Sequence, residues 1–220
     1  QAPPHGNTIP PVAGIPDNQP DMTTLIILGG EKPSVPLARI VANRARKVIA
    51  ADSGYHPALE SGLEPDVLTG DFDSIGSVPE ETAFKVVPAP EQDATDFEKA
   101  LRQVPDDCRE LEILGGTGLR SDHFLTNLLI AAGLPEEMSV VFHDDTQSIY
   151  RLTPASPVSL KVQVGSIVSL IPFASCTGVT TTGLHWNLDR APMGPRKGLG
   201  QSNRADREDL AVSLESGTLY

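Results

Sequence analysis

From Thr23 to about Asp144, short apolar runs alternate with stretches of helical period, the grammar of a parallel sheet flanked by helices. "TLIIL" reads as a strand, after which Pro33 and Ser34 open a helix with Leu37, Ile40 and Val41 on one face. "KVIAA" is a second strand ending at Asp52, a short helix closes at Gly62, and "PDVLT" is a third strand running into Asp71 and Asp73. After a connecting segment, Thr95 caps a helix whose Phe97, Ala100, Leu101 and Val104 point inward. "LEIL" ends in Gly115 and Gly116, Ser121 caps a helix carrying Phe124, Leu125, Leu128 and Leu129, and "SVVFH" runs to Asp144 and Asp145.

Beyond residue 150 the pattern changes. "VSLKVQV", "SIVSLIPF" and "LAVSLES" alternate with period two or run apolar, separated by glycine and proline, with no helical stretch between them. The expected fold is therefore α/β: an N-terminal open, mostly parallel sheet flanked by helices, plus a C-terminal all-β, sandwich-like domain. The domains are expected at 22–150 and 151–220, with the boundary near Pro154 to Pro157. Residues 1–21, "QAPPHGNTIPPVAGIPDNQPD", read as a flexible proline-rich extension without the basic start or apolar stretch of a signal peptide.

Charge narrows the function classes. A net charge of −12 over 220 residues argues against a nucleic-acid binder, which needs a basic patch for the phosphate backbone. No apolar run is long enough for a membrane span. Cys108 and Cys176 are far apart and lack metal-ligand spacing, as in a cytoplasmic protein with reduced thiols.

In an open parallel sheet, ligands bind outside the carboxyl ends of the strands. Those ends carry Gly29 and Gly30, Asp52, Asp71 and Asp73, Gly115 to Gly118, and Asp144. A single aspartate after a strand is an ordinary turn former; successive strand ends that all combine glycine or carboxylate are a pattern. Two carboxylates about 5 Å apart, at an effective dielectric near 20, repel by roughly 3 kcal/mol, which raises their pKa values or recruits a cation. Magnesium prefers hard oxygen ligands and bridges carboxylates to phosphates. The loop "GGTGLRSDH" can supply the other half of a nucleotide site, its amides and the following helix start holding an anion and Arg120 gripping phosphate. The same Gly116-Thr-Gly118 resembles part of a dinucleotide fingerprint, but Ser121 replaces the third glycine, and "GPRKGLGQS" lacks the residue order of a P-loop.

With "LTGDFDSI", "EQDATDFEKAL", "GGTGLRSDHFLTN" and "TTGLHWNL" followed by "SNRA", the chain resembles the thiamine pyrophosphokinase (thiamine diphosphokinase) family from about Thr23 to Tyr220. The resemblance implies transfer of the diphosphate of ATP to the hydroxyl of thiamine, giving thiamine diphosphate and AMP. It also implies a homodimer with the active site between subunits. Asp71 and Asp73 would then be magnesium ligands, completed by Asp52 and Asp96 directly or through water. Gln92, Thr95 and Arg120 would contact nucleotide or phosphate, and Asp122 would orient substrate or Arg120. A general base is not singled out: Asp71, Asp73, Asp96 and His123 are candidates, His123 equally being a helix-cap or packing residue. Thr182, Trp186 and Asn203, joined by Ser202, would line the thiamine pocket; Trp186 alone reads equally as filler of the β-domain core. Leu119 departs from the family pattern, standing where many members have glycine before the arginine. Two other readings share these features: a pyrophosphokinase for another hydroxymethyl substrate such as a pterin, and a non-catalytic nucleotide- or thiamine-binding module.

Overall fold

Five consecutive buried side chains in Thr23–Ile27 form β1, and a strand buried on both faces is what an unbroken apolar run encodes. The computed structural model describes residues 22–76, 82–196 and 198–220, so the expected extension at 1–21 lies outside the described residues. β1 sits centrally in a seven-stranded sheet with β2 (Lys47–Ala51), β3 (Val67–Gly70), β4 (Lys85–Pro88), β5 (Glu110–Leu114), β6 (Ser139–His143) and β7 (Ser148–Arg151). The order is β4-β3-β2-β1-β5-β6-β7, all parallel except the β6–β7 pair. Chain direction across the sheet therefore reverses between β1 and β5. The segment expected to be a plain connection holds edge strand β4, which is short, half-exposed and closed by Pro88.

The helices follow their local signals with two corrections. In α1 (Val35–Ala42) the Ser34 side chain accepts the Leu37 amide; Leu37, Ala38 and Val41 are buried, but Ile40 faces solvent. α2 (Tyr55–Glu60) is followed by Gly62 in the left-handed region. Thr95 caps α3 (Asp96–Leu101) in a capping box with Glu98, a device worth about 1 kcal/mol. α4 (Ser121–Ala132) has Arg120, not Ser121, as its N-cap, without a side-chain cap. Its buried stripe is Asn127, Leu128 and Ala131, with Phe124 partly covered, so Leu125 and Leu129 are turned to the outside. At its far end the buried Arg151 guanidinium donates to the carbonyls of Ala131, Leu134, Pro135 and Met138 at 2.5–2.9 Å, closing helix-end groups that would otherwise be buried unpaired.

The second domain is all antiparallel. β8 (Val158–Lys161), β10 (Cys176–Thr182), β11 (Ala191–Met193) and β13 (Asp209–Ser213) form a sheet in the order β11-β10-β13-β8, and β9 (Ile167–Val168) pairs with β12 (Asn203–Arg204). Leu152, Val179, Leu210, Val212 and Leu219 fill its core. Leu152 and Leu219 exchange backbone hydrogen bonds at 2.7 and 3.1 Å, and Tyr220 packs into the core of the first domain with its hydroxyl on the Leu128 carbonyl at 2.5 Å. The two cores are thus sewn together. Cys108 and Cys176 are buried free thiols. Among the described residues no helix is long and apolar enough to cross a membrane.

One buried position is electrostatically odd. Glu112 on β5 is 1% exposed and neither carboxylate oxygen has a hydrogen-bond partner; Arg44 Nη1 and His143 Nε2 stand 3.8 and 4.0 Å away. Burial pushes Glu112 up to about 7 and holds His143 down to about 4, so at intermediate pH the two face each other neutral, not as an ion pair. Because the folded-state value of Glu112 is raised, its stabilising effect is complete below about 4.5 and is lost as pH rises through about 7. Glu112→Gln keeps the shape without the titration. It is expected to match the parent near pH 4.5 and exceed it by about 1–3 kcal/mol at pH 8 in denaturant unfolding; a difference that does not widen with pH would contradict this account.

Candidate functional site

The reversal between β1 and β5 opens a crevice at the carboxyl end of the sheet. Its floor is backbone: Leu28 donates to Leu114, Gly30 to Gly115 and Glu31 to Thr117, at 2.7–2.8 Å. A Cβ on Gly30 would lie 2.3 Å from the Gly115 oxygen, and one on Gly115, at φ +66°, would lie 2.0 Å from the Leu28 oxygen. Only glycine permits this approach. Asn127 ties the loop to α4 by donating to the Gly116 carbonyl at 3.0 Å. The result is a cavity of ≈ 550 Å³ bordered by both glycine turns, the start of α3 and the start of α4.

Six of the expected residues line this cavity: Asp71, Gln92, Thr95, Asp96, Arg120 and Asp122; His123 also borders it. Asp71 lies just beyond β3. Its Oδ1 accepts the Asp73 amide at 3.3 Å, and its Oδ2 accepts Gln92 Nε2 at 3.2 Å and Lys99 Nζ at 3.3 Å. The Asp73 amide, then Gln92 and Lys99, hold its carboxyl below the usual range against the opposing effect of desolvation. Asp96, the first residue of α3, is pushed the other way by burial and then by the charges of Asp52 and Asp71. Asp52 is buried beside the cavity, with one oxygen taking the Ser74 hydroxyl and Oδ1 lacking any partner. Asp73 is exposed and contributes its amide to Asp71.

These carboxylates suit a hard divalent cation by donor chemistry: oxygen ligands, an orphaned buried Oδ1 on Asp52 and an Asp96 disfavoured as an anion by burial and then by its acidic neighbours. They are not a finished cage. Among the described residues no three His, Cys, Asp or Glu side chains converge closely enough to hold a metal alone. Such a donor set matches an ion that draws its remaining ligands from phosphate and water.

At the opposite rim, Arg120 and Asp122 form an exposed two-point pair, Nε to Oδ1 at 3.1 Å and Nη2 to Oδ2 at 2.6 Å, which holds the Asp122 carboxyl down to about 2. Thr95 is committed to the capping box, its hydroxyl shared with Glu98, so its contribution is to place Asp96. Asp144, another strand-end acid, is a turn former: it accepts from Thr146 and Gln147 and takes the Thr117 hydroxyl at 3.0 Å.

The β-domain candidates assemble separately. Asn203 is buried on β12; its Oδ1 accepts the Trp186 amide at 3.2 Å and its Nδ2 donates to the Trp186 carbonyl at 2.8 Å, fixing the turn that carries the indole. Trp186 is 62% exposed, which excludes a core-filling role, and His185 meets its ring edge-on at 4.6 Å between centroids. Thr182 ends β10 and Ser202 precedes β12, both exposed. None of these four lines the cavity at the sheet edge. A larger, mostly apolar groove of ≈ 700 Å³ between α4, β7 and the second domain holds none of the expected residues. Two residues the sequence reading missed are Lys99, buried in the cavity floor, and Asn127. The spacing Asp96 to Lys99, one helical turn, was the available signal for the first.

Residues 38–142 match the family described as thiamin pyrophosphokinase, catalytic domain, and residues 157–219 the thiamin pyrophosphokinase vitamin B1 binding domain. The thiamine pyrophosphokinase of Bacillus subtilis is 30% identical over 178 residues, covering 76% of this chain and 82% of that one. Thiamine pyrophosphokinase 1 of Oryza sativa is 27% identical over 214 residues, covering 83% and 81%. Superposed on the crystal structure of the Bacillus subtilis protein, the chain gives a TM-score of 0.75 at 25% identity over 90% of its length and 96% of the other. The Candida albicans thiamin pyrophosphokinase gives 0.75 at 16% identity, a likeness of fold.

Backbone strain gathers at the candidate residues. Of the five non-glycine residues with positive φ among the described residues, Asp52, Phe72, Leu119 and Ser202 lie on the site segments, at +44°, +68°, +50° and +55°. Leu119 is also 77% exposed, so its side chain gains nothing for the strain. Leu119→Gly is expected to stabilise the fold by about 0.5–1 kcal/mol relative to Leu119→Ala, the relief of left-handed strain outweighing the extra entropy of the unfolded chain. Equal denaturation midpoints for the two variants would show that no strain resides there.

Proposed function

Because the chain belongs to the thiamine pyrophosphokinase family, we propose that it transfers the diphosphate of ATP to the hydroxyl of thiamine, giving thiamine diphosphate and AMP. One observation carries the reading: a single cavity at the sheet's reversal point joins a glycine-and-arginine rim suited to phosphate with a carboxylate wall suited to a cation. Residues 22–150 are the nucleotide and metal half, and residues 151–220 the thiamine half.

In this reading the bond that forms joins the thiamine oxygen to the β-phosphorus, and the bond that breaks is the α,β-bridge, AMP leaving with the electron pair. Asp71 and Asp96, with Asp52 and Asp73, would hold magnesium, which when bound neutralises phosphate charge and polarises the phosphoryl oxygens. Reaction of this kind needs mainly alignment and charge compensation. Gln92, anchored on Asp71, and the amides of the Gly115 to Gly118 turn position the polyphosphate; Arg120, aimed by Asp122, grips its outer oxygens. Asp96, whose burial and acidic neighbours raise its affinity for any positive partner, accepts the hydroxyl proton as the oxygen bonds to phosphorus.

The exposed face of Trp186 takes the thiazolium cation, with Asn203 fixing the indole and Thr182 and Ser202 beside it. Because these residues line no part of the cavity in their own chain, the site is completed by a second copy as a homodimer. Supporting that assembly, Leu125, Leu129, Ile167 and Ile171 are exposed, three of them around the apolar groove. The buried free thiols suit the cytoplasm.

Purified protein with ATP, magnesium and thiamine is expected to release AMP and thiamine diphosphate; ADP as the nucleotide product would overturn the reaction. Asp71→Asn is expected to lower kcat at least about hundredfold while the thermal midpoint stays within a few degrees. Trp186→Ala is expected to raise the thiamine KM about 3- to 30-fold, the equivalent of a cation–π contact, with little change in the ATP KM; an unchanged thiamine KM would remove the indole from the site.

A further inference from the structure

Lys99 has no part in the roles above, yet its ammonium lies on the cavity floor, 3% exposed, 3.3 Å from Asp71 Oδ2 and 3.9 Å from Asp96 Oδ1. A buried ammonium is unfavourable without anionic partners, and here its partners are two carboxylates of the proposed metal set. The placement is built in. The capping box fixes the first turn of α3, Phe97 and Ala100 bury its inner side, and Asp96 and Lys99 stand one turn apart on the face toward β3's end. Gln92 holds the shared Asp71 oxygen from the other side.

We propose that Lys99 is an internal counter-ion which occupies the charge position of the divalent cation in the ligand-free protein and so makes metal binding depend on nucleotide. The inference rests on the magnesium-nucleotide reading of this cavity. Asp71 and Asp96, the two carboxylates that Lys99 touches, keep one net negative charge between them, so a free divalent ion meets half the attraction there and must also approach an ammonium. A polyphosphate brings the missing negative charge, to the ion and to the ammonium alike. The cation therefore enters as its nucleotide complex, and a protein of net charge −12 avoids loading its site with metal alone. Lys99 touches no reacting atom in this scheme; it is a positioning residue.

The test is titration with Mn²⁺ alone, without nucleotide, reading free ion by its paramagnetic resonance. Wild type is expected to bind weakly, Lys99→Arg likewise, and Lys99→Met at least tenfold tighter, with melting curves confirming that each variant is folded. Unchanged or weaker Mn²⁺ binding by Lys99→Met overturns the inference. Should that variant not fold, wild type decides alone: millimolar binding supports the inference and micromolar binding of free Mn²⁺ overturns it. The function reading fails separately. Wild type that makes no AMP from ATP and thiamine refutes that reading, whereas AMP production without a gain in Lys99→Met refutes only the role of Lys99.

Discussion

Everything at the sheet edge hangs from the backbone contact between the ends of β1 and β5. The two segments approach so closely that a Cβ on Gly30 would strike the Gly115 oxygen and one on Gly115 the Leu28 oxygen, and hydrogen bonds of 2.7–2.8 Å from Leu28, Gly30 and Glu31 to Leu114, Gly115 and Thr117 continue the ladder past the strands. Each bond contributes only about 1 kcal/mol net. Their larger effect is positional. With the Gly115 to Gly118 turn fixed against β1, Asn127 locks the same turn to α4, which sets where Arg120 and Asp122 begin the helix. Carboxylates on one wall and the arginine on the other are therefore held at a spacing determined by peptide geometry, not by flexible side chains.

Charge is the second constraint. A chain of net charge −12 that gathers Asp52, Asp71 and Asp96 at one edge repels the polyanion it is proposed to bind. The fold answers in layers: the Asp73 amide, Gln92 and Lys99 stabilise Asp71 as an anion, whereas Asp96 is left disfavoured by burial and its neighbours. Adjacent carboxylates pushed in opposite directions are what a site needs if one is to stay ionised and the other to take a cation or a proton.

The sheet and its loaded ends were legible because strands covered on both faces must be unbroken apolar runs, and because ligand chemistry in such sheets collects where those runs stop. Other features were hidden for identifiable reasons. β4 is a half-exposed edge ending in proline, so it carries neither an apolar run nor a clean alternation. In α4 two leucine stripes compete, and the polar Asn127 lies on the buried one because it serves the glycine turn. The burial of Lys99, Glu112 and Arg151 was not legible, since burial of a charged residue depends on tertiary partners that sequence spacing does not display. Trp186 shows the converse: an indole suits a core and a surface equally, and only the Asn203 clamp, seventeen residues away, reveals that it is presented outward.

The way the domains are joined bears on how the two proposed half-sites would meet. Leu219, paired with Leu152 in the second core, is followed by Tyr220, which enters the first core, meets the Phe173 ring at a tilt with 4.8 Å between centroids and bonds to Leu128, while Arg151 anchors the end of β7 under α4. A hinge between domains would have to expose Tyr220 and break these contacts together, each buried aromatic alone being worth about 3 kcal/mol or more. Association of two copies exposes nothing and covers leucines and isoleucines already at the surface. Between a hinge that dismantles a core and an interface that buries open apolar groups, the second would be the physically cheaper way to bring Trp186 to the carboxylates in the proposed reaction.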